Sequence, residues 1–66
     1  MGRKRRGGYI FETWIGDYSP PHVHVYDKDG NFLGRIILKT LMPLGYWKPS
    51  SKILEIVKEL RDTQQV

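Results

Sequence analysis

His22-Val23-His24-Val25-Tyr26, then Asp27-Lys28-Asp29-Gly30-Asn31, then Phe32-Leu33-Gly34-Arg35-Ile36-Ile37-Leu38-Lys39 is the stretch that decides the fold. The first five residues alternate with period two, the mark of a strand with two unlike faces. Asp29-Gly30 is a tight-turn dipeptide, because glycine accepts the positive φ that hairpin turns require. Residues 32–39 return as a second, aliphatic-rich strand and pair antiparallel with the first. With a two- or four-residue turn, Val23 and Val25 share a face with Phe32, Gly34 and Ile36. His22, His24 and Tyr26 then share the other face with Leu33, Arg35 and Ile37, whereas a three- or five-residue turn would swap the partners from the second strand.

Working outward, Tyr9-Ile10-Phe11-Glu12-Thr13-Trp14-Ile15 is aromatic and β-branched, which suits a further strand before the hairpin. Gly16-Asp17-Tyr18-Ser19-Pro20-Pro21 ends that strand, since both prolines lack an amide donor and bias their neighbours toward extended geometry. After the hairpin, residues 41–47 are apolar but broken by Pro43 and Gly45, so they are expected to wrap irregularly over the core or to form a sticky patch. Lys48-Pro49-Ser50-Ser51 opens a helix with a serine as N-cap. Ile53, Leu54, Ile56, Val57 and Leu60 make one apolar stripe, which turns Leu54 and Val57 to the sheet and Glu55 to water. The expected fold is α+β: a three-stranded antiparallel sheet in β-β-β-α order, with the C-terminal helix packed on one face.

Length and composition bound the rest. Sixty-six residues make one small domain with a thin core, for which homodimerisation is a common supplement. With no cysteine there is no disulfide framework, no thiolate metal cluster and no thiol nucleophile, which favours the cytoplasm. The longest apolar run, Ile36-Ile37-Leu38, is far too short to cross a membrane. The formal charge of +4 resides in Arg3, Lys4, Arg5 and Arg6, because the seven later cations are matched by seven carboxylates. Residues 1–8 therefore read as a flexible basic arm ahead of a neutral domain at 9–66. The arm is the expected contact for nucleic acid, and its removal is expected to leave stability unchanged.

His22 and His24, two apart on one strand, project to one face and admit three readings. As a metal pair they need a third ligand such as Asp17 or Asp27. As catalytic groups they titrate near neutrality and can act as base and acid on an RNA 2′-hydroxyl, with Arg35 or Lys39 stabilising the phosphorane. As structural groups they fix the Pro20-Pro21 loop by hydrogen bonds. Tyr9, Phe11, Trp14, Tyr18, Tyr26, Tyr46 and Trp47 admit a base-stacking reading beside the ordinary one of core packing. No phosphate loop and no serine or cysteine triad is present, and no cofactor is expected.

The stretch Ser19-Pro20-Pro21-His22-Val23-His24-Val25 resembles the signature of a small bacterial family, domain of unknown function 4160, in which Pro-Pro-His-hydrophobic-His-hydrophobic follows an aromatic first strand. The similarity runs from about residue 9 to residue 60. It takes in the hydrophobic third strand, Pro43, Gly45 with an aromatic after it, and the final helix. The resemblance implies a cytoplasmic protein with a neighbouring small protein partner in a toxin–antitoxin-like setting, and it implies no reaction. Residues 3–6 lie outside it. Two functions from different classes follow: a toxin–antitoxin-like component that contacts RNA or DNA, with enzyme or binder undecided, and a non-catalytic module that dimerises or binds a partner through its exposed sheet face.

Overall fold

The computed structural model describes residues 2–13 and 21–63. Their architecture is α+β, an antiparallel meander with one helix after it. The strands are β1 (Gly2–Arg6), β2 (Tyr9–Thr13), β3 (His22–Asp27), β4 (Phe32–Ile37) and β5 (Pro43–Leu44), and the helix is α1 (Ser51–Asp62). The sheet thus has five strands in sequence order rather than the expected three. Residues 14 and 15 of the expected first strand lie outside the described residues, as do Asp17, Tyr18, Ser19 and Pro20 of the loop after it.

The first added strand comes from the basic arm, which is not a free tail. Gly2 to Arg6 pair residue by residue with Thr13 to Tyr9. Gly7 and Gly8 form the two-residue turn between them, with φ of 58° and 86°, the positive pair that a tight antiparallel hairpin needs. An edge strand takes its stability from backbone pairing on one side, so its side chains can stay charged and wet. The expectation of disorder weighed only apolar burial and missed that ladder. The second added strand, β5, sets Pro43 opposite Ile36 and Leu44 opposite Arg35. Proline is tolerated there because β5 is the other edge. Four cations on β1 and a two-residue, proline-bearing β5 both discourage pairing with a foreign sheet.

Strand alternation sorts the side chains. Phe11, Val23, Val25 and Ile36 face α1 and are buried with its Ile53, Val57 and Leu60. Leu54 and Ile56 are half-buried at the rim of this core, and Glu55 is exposed, as the helical stripe requires. Ser50 caps α1, its Oγ accepting from the Ile53 N–H at 3.3 Å. Trp47 covers Gly34, where a Cβ would overlap the indole ring, and its Nε1 donates to the Arg35 carbonyl at 3.1 Å. At the far end of α1, Arg61 Nη1 donates to the carbonyls of Leu38 (2.8 Å) and Lys39 (3.3 Å) and ties the helix to the β4–β5 connection.

The β3–β4 hairpin departs from the expected register at one point. His22, Val23, His24 and Val25 oppose Ile37, Ile36, Arg35 and Gly34, but Tyr26 opposes Phe32, because the register shifts between Val25 and Tyr26. The extra residue is Leu33. Phe32 therefore moves to the histidine face while Leu33 packs against the core, the reverse of the expected placement. Asp27 stabilises this turn, its carboxylate accepting from the amides of Asp29 and Asn31 (both 2.9 Å) and from Asn31 Nδ2 (3.0 Å). Those bonds, the Asn31 side chain first, hold the Asp27 carboxyl below its ordinary pKa.

Candidate functional site on the open sheet face

The face turned away from α1 carries almost all of the chemistry that the sequence offers. Following the register from edge to edge, one row runs Arg3, Glu12, His24, Arg35 and Leu44. A neighbouring row runs Arg5, Ile10, Tyr26 and Phe32, and His22 stands opposite Ile37 on the other side of His24. Both rows follow from the two-residue strand period, which sends alternate side chains to one face.

Four rings form a continuous cluster across β3 and β4. The centroids of His22 and His24 are 5.0 Å apart with an edge-on inclination of 60°. His24 and Phe32 are 6.2 Å apart, and Phe32 and Tyr26 are 5.6 Å apart. These separations and tilts are those favoured by ring quadrupoles. Phe32 is 55% exposed, so the cluster presents an aromatic surface to solvent instead of closing a core. His24 is half-buried with its Nδ1 shielded from water.

Charge surrounds the rings. Arg35 is exposed directly across from His24, and Arg3 and Arg5 project onto the same face from the β1 edge. Glu12 stands among them and accepts from the Tyr26 hydroxyl at 3.3 Å. Burial raises the Tyr26 pKa first, the Glu12 charge and hydrogen bond raise it further, and Arg3 pulls the other way. Arg3, Glu12, Tyr26 and Gly30 line a cleft of about 210 Å³.

The three residues nominated as catalytic, His22, His24 and Arg35, are brought together on this face. The nominated basic residues are divided: Arg3 and Arg5 point to it, whereas Lys4 and Arg6 pair opposite Phe11 and Tyr9 on the helix side, where Arg6 approaches Glu59 at 3.7 Å. For metal binding, Asp17 lies outside the described residues. Asp27 falls on the helix-side phase of β3 with its carboxylate engaged in the turn. Among the described residues no group of three His, Cys, Asp or Glu is placed to hold an ion. No helix among them is long and apolar enough to cross a membrane.

Two members of the site were not read from sequence. Glu12 belongs to it because β2 pairs β3 with Glu12 opposite His24, a register that no turn signal specifies. Phe32 joins through the bulge, whose signal was Asp27 four residues before Asn31, able to cap a wider turn. The chain matches no family model, no curated protein and no solved structure.

Proposed function

We propose that the protein is a toxin–antitoxin-like component that contacts single-stranded nucleic acid, RNA in particular, through the open face of its sheet. The observation that carries this reading is the four-ring cluster His22, His24, Phe32 and Tyr26, flanked on one face by Arg3, Arg5 and Arg35. Exposed rings on a sheet offer stacking surfaces for unpaired bases, and arginines beside them meet the phosphates. The Pro21-His22-Val23-His24 part of the motif supports the toxin–antitoxin setting through its family resemblance. A phosphodiester over His22, His24 and Arg35 meets two imidazoles, one to take the 2′-hydroxyl proton and the other to protonate the departing 5′-oxygen, and a guanidinium to stabilise the phosphorane between them.

The test is fluorescence anisotropy of a labelled ten-nucleotide RNA across a salt series. Three arginines on the face give an expected log–log salt slope of about −2, at roughly 0.7 per phosphate on a single strand. Phe32→Ala is expected to weaken binding about tenfold, one stacked base being worth roughly 1–3 kcal/mol. Loss of label length on a gel, absent in His24→Ala, reads cleavage. Undiminished binding by Phe32→Ala and by Arg35→Gln contradicts the proposal. A second reading, a partner-binding module, is favoured by Met42, 59% exposed, and the fully exposed Tyr46 beside β5. It predicts no RNA binding and salt-insensitive association.

A further inference from the structure

At one end of the sheet the β1–β2 turn and the β3–β4 turn lie side by side, because Tyr9 pairs with both Arg6 and Asp27. Arg5, Arg6, Gly7, Gly8, Tyr9, Ile10 and Lys28 line a cleft of about 230 Å³ there. Three of these residues are cations and none is a carboxylate. A fourth cation is adjacent, since Lys52 Nζ lies 5.9 Å from the centroid of the Tyr9 ring and 3.7 Å from where a Gly7 Cβ would stand. Glu59, largely exposed, approaches Arg6 at 3.7 Å. The carboxylate of Asp27 is occupied by its own turn.

The β1–β2 turn that borders the cleft also packs on the helix. A Cβ on Gly7 would come within 2.7 Å of Ile56 Cδ1, so the turn is seated closely on α1. Gly8 is the opposite case: a Cβ there would meet nothing within 4 Å, so the space beside this residue is open. Arg5, Arg6 and Lys28, from two hairpins, line one cleft that has no carboxylate in its lining, which suits a small, strongly charged oxyanion.

From this arrangement we propose that the cleft binds a phosphate monoester dianion, the group carried at a phosphorylated end of a nucleic-acid strand. The assignment of the strand end rests on the proposed function, whereas binding of the dianion itself does not. The first arm of the test therefore uses inorganic phosphate alone, titrated into ¹⁵N-labelled protein at constant ionic strength with chloride as the control. Saturable shifts of the Gly7, Gly8 and Lys28 amides with phosphate and none with chloride are expected. Lys28→Gln, a change at an exposed turn residue, is expected to weaken the effect at least fivefold with an unchanged thermal midpoint.

The second arm compares one ten-nucleotide RNA with a 5′-phosphate and with a 5′-hydroxyl. The phosphorylated strand is expected to bind about fivefold tighter, and Lys28→Gln removes that difference. Shifts that are linear, or the same with chloride, overturn the site. Saturable phosphate binding with equal affinity for the two RNAs overturns the strand end as its source and assigns the site to a free phosphate ester. Failure of both RNAs to bind while phosphate still saturates the turn refutes the nucleic-acid function and leaves the anion site standing.

Discussion

The two faces of the sheet are made from the same strands and differ in nearly everything else. On the helix side Phe11, Val23, Val25 and Ile36 are completely buried, while on the open side His22, His24 and Tyr26 are half-covered and Phe32 and Arg35 are exposed. Each residue differs in face from its neighbour in sequence, so one residue of register exchanges a core for a surface. The contrast separates roles: the helix-side residues supply stability, and the open-side rings and arginines make up the face proposed to meet a ligand. Removing a helix-side residue should cost folding, and removing an open-side residue should cost binding.

The largest expected effect is that of Phe11→Ala. Phe11 is fully buried between Val25 and the helix residues, and truncating such a ring costs about 3–5 kcal/mol. The urea midpoint should fall by most of its value in so small a domain. A loss below about 1 kcal/mol would show that the helix side is not the core, and the division between the faces would fail.

Removal of residues 1–6 comes next. β1 covers the flank of Ile10, which is 2% exposed although it lies on the open face. Exposing that side chain is expected to cost about 1.5–3 kcal/mol. A truncated protein melting with the full chain would restore the picture of a free arm. This reverses the expectation drawn from the sequence, where four consecutive cations gave no alternation to read and Gly7-Gly8 passed for a linker.

Phe32→Ala sharpens the comparison from the other side. Its ring is exposed, so stability should change by no more than about 0.5 kcal/mol while RNA affinity falls. Thermal melts paired with anisotropy separate the two effects. Destabilisation without loss of affinity would move Phe32 to the structural class.

The smallest effect belongs to the turn that places Phe32. Asp27 has a lowered pKa in the folded state, so its contribution is present above the unfolded value near about 4 and is lost as pH falls through the folded pKa. Asp27→Ala should therefore lower the thermal midpoint slightly at neutral pH, with the gap to wild type closing in acid. A gap that widened below pH 4 would mean that the carboxylate does not act as a charged acceptor.

The parts that were legible in the sequence are those where periodicity, capping and turn chemistry agree. The alternation of residues 22–26, the helical stripe from Ile53 to Leu60 and a serine cap appear in the structure as read, the structure choosing Ser50 over Ser51. Parity alone put His22 and His24 on one face, and Arg35 joined them only on the favoured of two registers, the one that His24 and Arg35 adopt. The edge strands were not, because their stability lies in backbone pairing, which leaves no apolar pattern. The exchange of Phe32 with Leu33 was hidden because a bulge reverses parity locally, and it turned on three hydrogen bonds to the Asp27 carboxylate.

The central claim is that the open face, not the helix side, meets nucleic acid, and amide shift mapping during titration with a ten-nucleotide single-stranded RNA tests it most directly. Saturable shifts are expected at His22, His24, Tyr26, Phe32 and Arg35 and along β1, with the solvent-facing amides of α1 at Glu55 and Lys58 unmoved. Shifts confined to α1 or to residues 42–47, or no saturable shift at low salt, would contradict it.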